Sequence, residues 1–195
     1  MEVLIIRHAQ SYHNIGLTKN LDSKLTDEGH DQINFVSDWL KNNFDFNGYK
    51  GIVSPFFRTL TTAQKIHDVT GLDFKVSVGP REYLIDSNQH GMTGEFLPVA
   101  NHNQNFTDFD WGNFKKITHF FCNSESTFLL KERVNSFIDN LEDGKYCIVS
   151  HSSVCTAMHN HLNPNKNFDL SEGVENASLT YLKNGNTIWY SKVVY

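Results

Sequence analysis

"VLIIRHAQSYHN", running from Val3 to Asn14, sets an unbroken apolar run directly before an arginine and a histidine. Val3, Leu4, Ile5 and Ile6 form a short stretch rich in β-branched side chains, with no polar residue to mark a solvent face. Such a run reads as a strand buried on both faces, as in a parallel sheet covered by helices. In sheets of that kind, ligands bind just beyond the carboxyl ends of the strands. Arg7 and His8 stand at that end and mark a candidate site.

Working outward, the pattern of strand and helix repeats. "TDEGHDQINFVSDWLKN" (26–42) reads as a helix: Thr26 suits the N-cap, Asp27 and Glu28 suit the positive end of the helix dipole, and Ile33, Val36 and Leu40 share one face. "GIVSPFFRTLTTAQKIHDVTG" (51–71) reads as a strand, a turn and a second helix, with Ser54 as cap, Pro55 in the first turn and Gly71 at the end. "DFKVSV" is a third strand. From Arg81 to Ser126 the pattern becomes polar, aromatic and aperiodic. Beyond it come an amphipathic helix in "STFLLKERVNSFIDNLEDG", a buried strand in "KYCIVSH" and a helix beginning in "SSVCTAMHNHL". "ASLTYLKNGNTIWYSKVV" alternates around Asn184-Gly185-Asn186 as a hairpin does. This order predicts an α/β fold, a three-layer α/β/α sandwich with a mostly parallel central sheet. No repeat, linker or low-complexity tract divides the chain. The expectation is one domain over 1–195, with a cap or substrate insertion at about 87–125.

The 195 residues are enough for a substantial core, and the net charge of −5 speaks against non-specific binding to nucleic acid or to an anionic membrane. A local basic pocket for a small anion is compatible with that charge. The N-terminal apolar run is too short for a signal-peptide core, Glu2 is a poor residue to precede one, and no stretch is long enough to span a membrane. Cys122, Cys147 and Cys155 cannot all pair within one chain, and none lies in a CxxC. They read as reduced, buried small hydrophobes in a cytoplasmic protein.

The polar strand ends carry the chemistry. The first strand ends in Arg7-His8. The second runs into Ser54-Pro55, with Arg58 one turn into the following helix. Another ends in Ser150-His151, and Pro80-Arg81-Glu82 follows the third strand. In a parallel sheet these ends open at one rim, which gathers paired arginines, paired histidines and a carboxylate around one pocket. Those residue types suit phosphoryl transfer. Arginine forks bind non-bridging oxygens bidentately, a neutral imidazole can attack phosphorus, and a carboxylic acid can protonate the leaving oxygen. No HExxH, EF-hand loop or cysteine-rich pattern is present, so neither metal nor cofactor is expected.

These motifs resemble those of the histidine phosphatase superfamily, which includes phosphoglycerate mutases. Arg7-His8-Ala9-Gln10-Ser11 is similar to its opening Arg-His-Gly motif, with Asn14 at the spacing of a phosphate-contacting asparagine. "LTDEGHDQ", "SPFFRTLTTA", "VSHSSV" and "NASLTYL" are similar to its later motifs, and Glu82 stands where its acidic glutamate falls. The resemblance spans the chain except for about 87–125. It implies that His8 is the nucleophile that becomes phosphorylated. It also implies that Arg7, Arg58 and His151 hold the phosphoryl group with help from Asn14, and that Glu82 is the proton donor. Ala9, Thr61 and Ser152 depart from the family's usual glycine, glutamine and glycine without removing a reactive group. The implied partner is a small phosphorylated substrate or a phosphoprotein.

The expected activity is metal-independent hydrolysis of a phosphomonoester. Mutases of the family carry an arginine-rich insertion, and residues 87–125 contain no arginine. The alternatives are a mutase-type phosphotransferase and a non-catalytic phosphoprotein-binding module. Asp86 and Glu95 are alternative acids to Glu82. His159-Asn160-His161 resembles a metal fragment but lacks partner ligands in the sequence. His67, His90, His102 and His119 have no pairing at metal-ligand spacing. "FDWGNF" reads equally as a ligand platform or as the core of the insertion. Lys115-Lys116 reads as a solvated face, or as a grip on a second anionic group.

Overall fold

A computed structural model describes residues 1–84, 95–97, 99–112, 120–122 and 125–195. The elements in chain order are β1 (Glu2–Arg7), α1 (Asp27–Asn43), β2 (Tyr49–Val53), α2 (Phe57–Thr70), β3 (Phe74–Val76), β4 (Glu95–Leu97), α3 (Val99–Asn105), β5 (Phe120–Cys122), α4 (Thr127–Asp139), β6 (Lys145–Ser150), α5 (Ser152–Leu162), β7 (Leu179–Lys183) and β8 (Asn186–Lys192). The main sheet has the order β3-β2-β6-β1-β7-β8. Its first four strands in that order run parallel, while β7 adds antiparallel to β1 and β8 antiparallel to β7.

The apolar run of β1 is continuous because its side chains feed separate cores on the two faces of the sheet. Leu4 and Ile6 pack with Ile33, Val36 and Leu40 of α1 and with Leu60, Ala63 and Ile66 of α2. Val3 and Ile5 pack with Leu130, Val134 and Ile138 of α4 and with Val154, Cys155 and Met158 of α5. Helices therefore cover both faces, which gives the three layers expected. Register then sets the site. Arg7 lies opposite Ser150, Ile6 opposite Val149, and Val149 in turn opposite Val53 of β2. The strands carrying His8, Ser54 and His151 thus stop at one level.

Helix α1 starts as the sequence predicts. Thr26 Oγ1 accepts from the Gly29 N–H at 3.0 Å, and the Thr26 N–H donates to Gln10 O at 3.0 Å. Gly29 explains the glycine of the "LTDEG" stretch: a Cβ there would lie 2.0 Å from the Gln10 carbonyl oxygen. The helix start and the loop after His8 touch backbone to backbone. Helix α2 differs from expectation. It begins at Phe57, its N-cap Phe56 makes no side-chain cap, and Ser54 is engaged elsewhere. The Phe57 N–H instead donates to Asp22 Oδ1 at 2.7 Å, so the cap comes from a distant loop. Gly71 closes the helix in the left-handed region at φ 72°, and Asn184 and Gly185 form the hairpin turn with φ 51° and 74°.

The aperiodic stretch holds the short strands β4 and β5, which pair antiparallel, and α3. Its aromatic residues settle the "FDWGNF" question for the part that is described. Phe106, Phe109 and Trp111 are buried in the α1–α2 core, and the Trp111 indole N–H donates to Phe106 O at 2.9 Å. Asp110 pairs along β3 through hydrogen bonds to Phe74 O and from Val76 N, both at 2.9 Å. Phe114, Lys115, Lys116, Asp86, His90 and His119 lie outside the described residues. Cys147 and Cys155 are buried and free. Among the described residues, no helix is long and apolar enough to cross a membrane.

Replacing Gly29 with alanine forces a methyl group onto the Gln10 carbonyl. The Gly29→Ala variant is expected to lose about 1–3 kcal/mol of stability, the usual cost of overpacking a close contact. Urea denaturation checks this, and an unchanged midpoint would contradict the backbone contact.

Candidate active site

His8 follows β1 directly and is 1 % exposed. Its backbone is held on both sides: its N–H donates to Ser150 O at 3.0 Å, and its carbonyl accepts from Ala177 N at 3.1 Å and from Asn176 Nδ2 at 3.2 Å. The ring is held in one tautomer. Nδ1 lies 2.7 Å from Ala9 O, and a carbonyl only accepts, so Nδ1 carries the proton. Nε2 receives the Arg58 Nε–H at 3.1 Å, and a guanidinium only donates, so Nε2 presents a lone pair. Burial, followed by the positive charges of Arg58 and Arg7, holds the imidazole well below the ordinary histidine range. His8 is therefore neutral at neutral pH.

Arg58 lies in the first turn of α2 and is also 1 % exposed. Its Nη1 donates to Leu21 O, its Nη2 donates to Glu82 Oε2 at 2.8 Å, and its plane covers the Phe56 ring at 4.8 Å. His151 ends β6 and serves as the N-cap position of α5 without a side-chain cap bond. Its Nε2 contacts Ser54 Oγ at 2.8 Å, and its Nδ1 lies 3.0 Å from Glu82 Oε2 but off the hydrogen-bond axis. A carboxylate only accepts, so the proton belongs on Nδ1 and the Ser54 hydroxyl donates to Nε2. Burial pushes the His151 pKa down to about 4, with the Glu82 carboxylate opposing it. The His8 and His151 rings meet edge to face at 5.2 Å.

Glu82 sits on the irregular segment after β3. Burial alone would raise its carboxyl pKa, but His151, Arg58 and His8 outweigh that and hold it well below the usual carboxylate range. Arg7 donates from Nη1 to Val174 O, and its Nε is buried with no hydrogen-bond partner among the described residues. Asn14 stands in an exposed turn. Its Oδ1 accepts from Ser11 N and Oγ at 3.0 Å and from Asn176 Nδ2 at 3.1 Å. Asn176 therefore joins Asn14 to the His8 backbone.

The structure thus brings His8, Arg58, Glu82 and His151 into direct contact and ties Asn14 to them through Asn176. Arg7, next to His8 in the chain, is anchored on Val174. The ring nitrogens of His8 and His151 and the Glu82 carboxylate lie within 4.8 Å of one another, a spacing that could hold a metal ion. Arg58 already donates to both His8 and Glu82, so a cation there would face a buried guanidinium. The donor set fits an anion better. The "HNH" fragment does not converge: His159 contacts Thr187 Oγ1 at 2.7 Å, while His161 turns to Asp139 at 2.7 Å. His102 is buried against Asp22 at 2.5 Å. The side chain of Glu95, like Asp86, lies outside the described residues.

Sequence reasoning missed several supporting residues. Ser54 was read as a cap, yet it holds His151. Asn176 lies in the "NASLTYL" stretch, which carried no role. Leu21 and Asp22, which hold Arg58 and the start of α2, have no local signal.

The chain belongs to the histidine phosphatase superfamily, branch 1, whose family model matches residues 3–194. No curated protein matches the sequence. Solved structures share the fold. The ecdysone phosphate phosphatase from Bombix mori in complex with tungstate superposes with a TM-score of 0.70 at 14% identity, covering 97% of this chain and 92% of that one. A mycobacterial glucosyl-3-phosphoglycerate phosphatase complexed with VO3 gives 0.64 at 20% identity, covering 93% and 92%. The phosphoserine phosphatase of Entamoeba histolytica with 3-phosphoglyceric acid gives 0.61 at 19% identity, covering 96% and 93%.

The lowered pKa of His151 has a stability consequence. The folded state resists a proton that the unfolded chain accepts, so the contribution is fully present above about pH 6.5 and is lost as pH falls toward 4. The loss is expected to be on the order of 3 kcal/mol. Urea denaturation across that window should give a shallower pH slope for His151→Asn than for the unaltered protein, and equal slopes would contradict a buried neutral imidazole.

Proposed function

We propose that the chain hydrolyses phosphomonoesters through a phosphohistidine formed on His8, without a metal ion. The observation that carries this reading is the His8 imidazole, buried, neutral and held by Ala9 O and Arg58 Nε so that its Nε2 lone pair faces the site. A phosphoryl group needs an in-line nucleophile and positive charge on its equatorial oxygens, and catalysis of its transfer is mostly positioning and electrostatics.

The proposed sequence starts with an exchange of anions. The phosphoryl oxygens of the substrate take over Arg58 Nη2 from Glu82 and Arg58 Nε from His8, which frees the His8 Nε2 lone pair, and they gain the His151 Nδ1–H, the Arg7 Nε and the Asn14 amide. Glu82, deprived of those partners and set beside a second anion, rises in pKa and takes up a proton. His8 Nε2 then attacks phosphorus, the P–O bond breaks, and Glu82 gives its proton to the departing alkoxide. In the second half the Glu82 carboxylate takes a proton from water as that water attacks phosphorus. The P–N bond breaks, and inorganic phosphate leaves a neutral His8.

Hydrolysis is favoured over mutase chemistry by the absence of arginine from 87–125, the segment to which we assign the cap and substrate choice. The complete catalytic set favours an enzyme over a binding module. The neighbours' names, phosphatases of phosphorylated small molecules, support a small phosphorylated substrate.

His8→Ala is expected to lower turnover of a chromogenic phosphate ester by at least about a hundredfold while the fold persists. Rapid quench with a radiolabelled ester should trap an acid-labile, alkali-stable phosphoenzyme in the unaltered protein and none in the variant. Labelling of His8→Ala would assign the nucleophile elsewhere. Prolonged dialysis against EDTA should leave the rate unchanged. A loss restored by a divalent cation would overturn the metal-free reading.

A further inference from the structure

Glu82 follows β3 in backbone that is neither helix nor strand. No sheet ladder or helix holds it. Its carboxylate rests on Arg58 Nη2 and the Tyr83 N–H, and its backbone rests on a buried ion cluster that the proposed chemistry leaves unused. Glu125, 5 % exposed, is forked by Arg81 through Nη1–Oε1 at 2.9 Å and Nη2–Oε2 at 3.2 Å. Arg133 of α4 forks the same carboxylate from its other side, through Nε–Oε2 at 3.0 Å and Nη2–Oε1.

Each member also grips the backbone around Glu82. Arg133 Nη1 donates to Gly79 O at 2.5 Å, Arg81 Nη1 to Glu82 O at 3.2 Å, and the Glu125 N–H to Leu84 O at 2.8 Å. Ser150 Oγ, at the end of β6, adds a bond to Pro80 O at 2.8 Å. Gly79 itself rests on α4, where a Cβ would come within 2.1 Å of the Phe137 ring. The segment is thus fastened at its start, middle and end, and the middle fastening is on Glu82 itself.

We propose that Glu125, clamped by Arg81 and Arg133, is the positioning residue for Glu82. The proposal rests on Glu82 being the proton donor. Glu125 joins two guanidiniums that would otherwise repel each other. With its charge removed, Arg81 loses its anchor and the Glu82 backbone loses the grip of Arg81. The carboxylate then samples positions from which it cannot reach the leaving oxygen, and small displacements of that kind are costly in catalysis. Glu125 touches neither the phosphoryl group nor His8, so its removal should weaken proton donation and leave nucleophilic attack largely intact.

The test is the ratio of kcat/KM for an alkyl phosphate to that for a nitrophenyl phosphate. An alkoxide needs a proton to leave and a nitrophenolate does not. The ratio cancels the concentration of active enzyme, so a variant that merely folds less well does not move it. Glu82→Gln should lower the ratio by about a hundredfold. Glu125→Gln should lower it by about tenfold, and Arg133→Lys, which keeps the charge but loses the fork, by a few-fold. In the Glu82→Gln background, Glu125→Gln should lower it no further, because nothing remains to be positioned. An unchanged ratio in both Glu125→Gln and Arg133→Lys, with Glu82→Gln selective, would overturn the clamp and leave the acid in place. A further drop in the double variant would also overturn it. A ratio unmoved by Glu82→Gln would remove the acid role, and the clamp would fall with it. If Glu125→Gln does not fold, Arg133→Lys decides.

Discussion

A full positive charge buried beside His8 constrains the site more than any other interaction. The Arg58 guanidinium is almost inaccessible to water, and an unpaired buried ion costs several kcal/mol. Its donors must therefore be met from inside the protein. Leu21 O meets Nη1, Glu82 meets Nη2, His8 Nε2 meets Nε, and the Phe56 ring covers a face. Each partner comes from a different segment, so satisfying one side chain draws the loop before α1, the segment after β3 and the end of β1 to one point. Asp22 completes the arrangement from the backbone side by capping Phe57, next to Arg58.

The same charge explains why the histidines stay neutral and the carboxylate stays ionised. A protonated His8 would face Arg58 across 3.1 Å at a place where both side chains are buried from bulk solvent. Glu82 relieves the positive field in the free protein by sitting on Arg58 and beside His151. In the proposed cycle an incoming phosphoryl group takes that place, so the site holds an anion throughout. Pocket and acid then become one device: the displacement that makes room for substrate also raises the carboxyl pKa enough to hold a transferable proton.

Much of this was legible in the sequence, for a physical reason. Residues at the ends of buried parallel strands inherit their position from the sheet, so Arg7, His8 and His151 could be placed from apolar periodicity alone, and Arg58 from the helix that follows β2. The register of β1, β6 and β2 then delivers them to one level. Ser54 misled because a hydroxyl after a strand suits a helix cap and a histidine partner equally well. Asp22, Asn176, Glu125 and Arg133 were illegible because their partners are remote in sequence and no periodicity links them. The aromatic stretch around Trp111 was ambiguous for a similar reason. It pads the α1–α2 core and pairs with β3 through Asp110, without the alternation that marks a strand.

The division between legible and illegible residues follows a division of labour. Groups proposed to hold phosphorus sit on or next to strand and helix ends, where the sheet and its two cores fix them. The exceptions are Glu82, proposed to meet the leaving oxygen, and Asn14, proposed to assist at the phosphoryl group, which sit on irregular backbone held by side chains: the Arg81–Glu125–Arg133 cluster for one, Ser11 and Asn176 for the other. Side-chain tethers can be altered one at a time, whereas the register of a buried sheet cannot shift without turning every apolar residue to the wrong face. A fold built this way keeps the geometry around phosphorus constant while the surroundings of the leaving oxygen vary.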